Sequence, residues 1–441
     1  MAVLRTSLSR TPLCAAGALF LALVPAFSQP PSLLWSETQF YRYNIEQITL
    51  DKSVSPITVK VVFSVTNPLA SNTPYDLKTS LPFRSPATLR VQIGWNTAEY
   101  TNTGALAAPP GFLLLPIYRK WMEPLLKLPP GQPATGGVGA AVPIQVDALK
   151  TAEACTPAAC PGAPAGRFWL SSPLPPQAAG TGTVGMEGHP SRQTGVDAAG
   201  KAVYTSIPVK SAVRDFLISG ATQKARRQIV DIAKCRKCHD DRKHGDVVVP
   251  RLSLHGANRN EAIGLCVICH NPNQTDIPYR ASGAEESIDF KRMVHGIHAG
   301  YKRQTPLVII GFRGSVNDYG HVRFPSDLSN CALCHLDDGS RGTHELRTPP
   351  VLGSTINTGS LITIAGQVDT DPANNLRISP IAATCSGCHD SKEVRQHMIS
   401  NGASFGAKQA DLQGKERCVT CHGPGKMKDV RRVHHEEAED E

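Results

Sequence analysis

Five copies of one five-residue signature dominate this chain. They are Cys235-Arg-Lys-Cys238-His239, Cys266-Val-Ile-Cys269-His270, Cys331-Ala-Leu-Cys334-His335, Cys385-Ser-Gly-Cys388-His389 and Cys418-Val-Thr-Cys421-His422. Cysteines three apart lie on one side of a helical turn, so both can bond the vinyl groups of one porphyrin. The histidine that follows then offers its imidazole to the iron, which makes C-x-x-C-H the attachment signature of c-type haem. Zinc also takes C-x-x-C pairs but does not require a histidine after each one. Five repeats of that position, among only 15 histidines in 441 residues, point to five haem c groups. His239, His270, His335, His389 and His422 are then the proximal iron ligands. The motifs are unevenly spaced, so the region is not a simple tandem repeat.

Covalent haem attachment belongs to an exported protein, and the first residues agree. Arg5 and Arg10 precede a short apolar run, Leu13 to Val24, and Ala26-Phe-Ser28 resembles a cleavage site. The reading is a leader over 1–28, a mature chain from about Gln29 and no membrane helix. Cys14 precedes the apolar run, where a lipid-modified cysteine would follow it. The formal charge of +9 does not signal a nucleic-acid partner. Two of the nine charges leave with the leader, and five pairs of haem propionates bring the holoprotein to roughly between +2 and −3.

Residues 29–218 read as an N-terminal β-rich domain. Ile57, Val59, Val61, Phe63 and Val65 alternate as a half-buried strand does, and Leu89, Val91, Ile93 and Trp95 repeat the pattern. A third strand follows at Ala202–Ile207. An antiparallel sandwich or barrel-like fold is the simplest outcome. Between Thr103 and Arg167 the composition turns to Ala, Gly and Pro, which predicts a long insertion without regular structure, apart from one short helix at Tyr118–Leu128. Cys155 and Cys160 lie in it and are a disulfide candidate in an exported protein. Ser211 to Ala233 carries helical spacing through Val213, Phe216 and Leu217. Residues 219–435 are then a pentahaem domain of short helices and irregular chain, followed by an acidic tail, 436–441. So little ordinary core is available there that the haems themselves are expected to form it.

The sixth position on each iron separates carrier from catalyst: a second histidine closes it, and an open position can take a small substrate. Ten histidines lie outside the motifs, nine of them in the haem region. His295 and His298 are the best distal candidates. Spaced three apart on one helix, they cannot bind one iron from opposite sides, so they should serve two neighbouring haems. His255, His397 and one of His434 and His435 complete a set of five. His244, His321 and His344 are alternatives to any of these, and His189 reads as structural.

Several stretches resemble the OmcA/MtrC family of outer-membrane multihaem cytochromes. They include Arg226–Cys235, Cys266–Pro272, Ile288–Gly300, Phe324–Cys331 and Cys418–Gly425, and together they span essentially all of 220–435. A fainter likeness lies around Met186–Pro190. The resemblance implies bis-histidine haems in close contact. It also implies electron delivery to metal oxides, flavins or partner cytochromes, with an outer-membrane conduit as a further partner. Members typically carry ten haems and alternate β and pentahaem domains, so this chain looks like one half. The leading expectation is an electron-conducting cytochrome at the cell surface. A soluble periplasmic shuttle is the alternative, and a reductase with an open iron, such as a nitrite reductase, is the third; five motifs that all end in histidine weigh against the last.

Overall fold

Strands with alternating apolar residues need a second apolar face to cover them, and here two sheets supply it for each other. The computed structural model describes residues 33–96, 144–175, 178–241, 243–244, 247–248, 251–276, 285–311, 315–337, 342–346, 353, 355–358, 376–408, 411–412 and 415–434. The expected leader over 1–28, the expected tail over 436–441, His435 and the expected helix at 118–128 lie outside the described residues.

One sheet runs in the order β1 (Arg42–Asp51), β2 (Thr58–Asn67), β7 (Phe168–Pro173), β6 (Glu153–Ala154), with β3 (Thr73–Pro74) also on β2. The other runs β11 (Ala212–Leu217), β8 (Thr181–His189), β4 (Thr88–Gly94), β5 (Ile144–Asp147). All of these pairings are antiparallel. Val59, Val61, Phe63 and Val65 of β2 meet Leu89, Val91 and Ile93 of β4 in one buried core. The fold is therefore an antiparallel sandwich. A hairpin of β9 (Ser191–Val196) and β10 (Ala202–Ser206) stands beside it.

Two expectations are corrected. Residues 144–154 are not irregular: they form β5, α1 (Ala148–Thr151) and β6. Ile144, Ala148 and Ala152 are buried in the core, so this Ala-rich stretch supplies small side chains where the sheets come close. The disulfide Cys155–Cys160 forms just after β6. The helical spacing at 211–233 also fails. Val213, Phe216 and Leu217 lie in β11, because β8 offers an open edge and Phe216 and Ile218 alternate into the core. Only α2 (Ile232–Cys235) is helical in that stretch.

Beyond residue 230 the elements shorten. α3 (Ile263–Cys269), α4 (Phe290–Ala299), α5 (Pro380–Cys385), α6 (Lys392–Ser400), α7 (Val419–His422) and α8 (Val430–Val433) alternate with ladders of two or three strands. No described helix is long and apolar enough to cross a membrane.

The sandwich and the haem-bearing region meet at β8. All nine of its residues are buried, so both of its faces are covered. Gly185 makes this possible: a Cβ there would collide with Leu265 of α3. Gly188 donates to the Asn258 carbonyl (2.8 Å) and Ser211 to that of Asn260 (2.9 Å). Between them Glu187, fully buried, grips Arg259 through Nε (2.5 Å) and Nη2 (3.4 Å), with Arg90 3.7 Å away. A buried carboxylate is tolerated because two guanidinium groups share it.

Candidate haem-binding site

All five attachment motifs adopt the same turn. In each, the histidine N–H donates to the carbonyl of the first cysteine, four residues back, over 2.8–2.9 Å. This curls both cysteines and the histidine around one local axis. Different neighbours set up each turn. Asp231 caps α2 by accepting from the Ala233 N–H (2.7 Å). Glu416 caps α5, accepting from the N–H groups of Ile381 (2.8 Å) and Ala382 (2.9 Å), which places a carboxylate at the positive end of the helix.

Each motif histidine faces a further histidine at a near-constant spacing, and His335 has a second one, His344, beside it. Ring centroids are 6.2 Å apart for His239 and His298, 6.0 Å for His270 and His255, 6.1 Å for His335 and His295, 6.1 Å for His389 and His434, and 6.2 Å for His422 and His397. Direct ring contact does not require five near-equal spacings over interplanar angles from 17° to 86°. A shared metal does. An imidazole nitrogen sits about 2 Å from a bound metal and about 1 Å from its ring centre, so two rings on opposite sides of one ion have centroids about 6 Å apart.

The ring nitrogens fit the same picture. A metal-binding imidazole fixes its tautomer through its other nitrogen. Nδ1 of His270 faces the Ile288 carbonyl (3.0 Å), Nδ1 of His422 that of Lys428 (2.9 Å) and Nδ1 of His335 the Thr343 hydroxyl (3.3 Å). On the opposite side, Nδ1 of His298 and His434 face carbonyls one helical turn back, Val294 (2.8 Å) and Val430 (2.7 Å). In all five rings Nε2 is left for a metal. Burial pushes His255 and His335 down to about 3 and His270 and His295 down to about 4, and lowers His298 and His389. Burial thus favours the neutral form of these six rings, the form that binds metal. Burial likewise pushes the Cys235, Cys266, Cys269 and Cys418 thiols up to about 11 and Cys385 to about 12. Such surroundings suit an uncharged thioether. The residues present therefore fit haem c.

His321 is exposed. His344 lies 5.5 Å from His335, edge to face, on that turn's flank. The His244 side chain lies outside what is described.

The five turns are packed in a continuous series. Lys234, beside the first, donates to the carbonyls of Ala332 (2.7 Å) and His335 (2.5 Å) in the third. Arg236, in the first turn, pairs through Nε with Glu261 (3.3 Å), just ahead of α3, which brings the first turn to the second. α4 presents His298 to the first turn and His295 to the third. It also reaches the fourth, through Arg292 on the Ser386 hydroxyl (2.9 Å). Glu416 ties the fourth turn to the fifth. The resulting order is second, first, third, fourth, fifth.

Sequence reasoning did not find Glu187, Arg259 or Thr343. Each is an ordinary polar residue on a strand or loop, and only the fold brings it to a site.

The fold and these sites define a multihaem c-type cytochrome. Residues 227–435 match the model of the family "Outer membrane cytochrome MtrC/MtrF-like, domains II/IV". A curated relative, multihaem cytochrome MtrC of Shewanella baltica (strain OS185), is 27% identical over 210 residues, 44% of this chain and 24% of that protein. Among solved structures, MtrC from Shewanella baltica OS185 has a TM-score of 0.49 at 16% identity, covering 88% of this chain and 53% of that one. The decahaem cytochrome OmcA has a TM-score of 0.44 at 19% identity, covering 90% and 49%. The chain spans about half or less of the length of these relatives. Residues 227–435, a little under half of the chain, are thus similar to the haem-bearing domains of MtrC/MtrF-like outer membrane cytochromes.

Proposed function

We propose that this chain is an electron-transfer cytochrome that holds five haems, each between two histidines, and delivers electrons at the cell surface to metal oxides, flavins or partner cytochromes. The pairs are His239 with His298, His270 with His255, His335 with His295, His389 with His434, and His422 with His397. The recurrence of a 6.0–6.2 Å spacing at all five motif histidines carries the reading. The haems supply one-electron redox chemistry, with potentials set by ligation and burial. The protein's share of the work is to attach, align and enclose them. α4 holds the ligands of two sites on one rigid helix, so the first and third stay in register. The paired histidines close every iron, which favours a carrier over a catalyst with an open coordination site. The division of labour we assign is a sandwich to residue 218 and a haem holder over 219–435. An outer-membrane electron conduit or another cytochrome is the partner we assign to it.

The test is a pyridine-adduct haem count on the purified holoprotein, followed by protein-film voltammetry with candidate acceptors. Five haems per chain, with a catalytic wave on adding a flavin or ferric oxide, are expected. Fewer than five haems, or a film that exchanges electrons with none of these acceptors, would overturn it.

A further inference from the structure

Polar side chains are buried in unusual number between the second attachment turn and α4. Most have their needs met. Asp276 accepts from the N–H groups of Glu286 and Ile310 (2.8 Å each), and Asp289 accepts from Lys291 and from the Thr355 hydroxyl (2.6 Å). Arg377, in the strand Leu376–Ile378, is different. It is 5% exposed. Its side chain makes one hydrogen bond among the described residues, from Nη1 to the neutral Oδ1 of Asn273 (3.0 Å). Its Nε is buried and has no acceptor. No described carboxylate pairs with it, and burial alone pulls its pKa down to about 10. The guanidinium therefore keeps its charge. A buried cation is tolerated only when an anion or several acceptors meet it, and the described side chains supply one neutral oxygen.

The position of Arg377 indicates what is missing. Asn273 lies three residues past His270, the motif histidine of the second site, and the Arg377 strand runs directly into α5 and Cys385 of the fourth. Each haem brings two carboxylates into this region. We propose that Arg377 is the buried counter-ion of a haem propionate, that of the group attached at Cys266 and Cys269, and that Asn273 holds its guanidinium in place. Arg377 is then a positioning residue that also sets a potential, since a fixed cation beside the porphyrin favours the reduced form. This rests on the five-haem reading.

The test uses intact holoprotein. The haem count of the wild type is taken first, and a count below five overturns the reading of the sites without bearing on Arg377. R377Q is then expected to keep five haems while one of the five reduction steps moves to lower potential. The shift is up to about tenfold in that reduction equilibrium, or about 59 mV for one electron. R377K, which keeps the charge, should restore most of it. Five unmoved steps in R377Q overturn the proposal. The thermal melt of R377M decides the case on independent grounds, including if R377Q does not accumulate. With a propionate present, the apolar variant strands an anion and melts below wild type. With none, it removes an unpaired buried charge and melts at or above wild type, which overturns the proposal.

Discussion

The sandwich and the haem-bearing region solve the problem of burial in opposite ways. In the sandwich, aliphatic and aromatic side chains from two sheets close on each other, and Phe63, Leu89, Ile93 and Met186 are fully buried by protein alone. Past residue 230 the only comparable apolar cluster of described residues is small: Ile378, Ala382, Ala383, Met398 and Ala403. What that region buries instead is imidazole, thiol and amide. Such groups cost free energy to bury unless something binds them. The difference teaches that one half of this fold is self-sufficient and the other is built around groups the chain does not encode.

The largest test of that contrast is to prevent attachment altogether. Replacing all ten motif cysteines with serine should leave β1–β11 protected in hydrogen exchange while residues 230–434 lose protection almost completely. A haem-bearing region that stays protected would erase the distinction. Next in size, F63A opens a cavity in the sandwich and should cost about 3–5 kcal/mol of its stability, read by calorimetry. The haem visible spectrum should not change. The seam comes third. E187Q removes the carboxylate shared by Arg259 and Arg90 and should cost about 3 kcal/mol. Because Arg259 lies four residues past His255, this variant alone of the set should move both the sandwich melt and one haem potential; a change in only one would mean the two halves are energetically separate. The smallest effect belongs to the Cys155–Cys160 bridge. It closes a very short loop, so C155S/C160S should lower the sandwich melt by about 2 kcal/mol or less and leave the redox titration unchanged.

The parts of this fold legible in the sequence are those whose chemistry is local. A thioether pair and its histidine need a fixed spacing, so all five turns can be read residue by residue. Strands β2 and β4 announce themselves through strict alternation. What the linear chain hides is whatever depends on partners far away. Val213, Phe216 and Leu217 match a helix only until β8 offers an edge. Residues 144–154 look like filler until the sheets need small side chains. Six distal histidines could be named, but which faces which depends on how α4, α6 and α8 dock. Arg377 carries no signal at all, since a charged residue between Leu376 and Ile378 reads as an ordinary exposed strand position.

The central claim is that every iron lies between two imidazoles. Electron paramagnetic resonance of the fully oxidised holoprotein tests it most directly, because ligation sets the spin state and the angle between ring planes sets the anisotropy. The rings of His295 and His335 are near parallel, at 17°, whereas His239 with His298 and His422 with His397 are near perpendicular, at 86°. The account predicts five low-spin haems, one of ordinary rhombic shape from the third site, lost in H295M, and strongly anisotropic signals from the first and fifth. A high-spin centre in the native protein would contradict it.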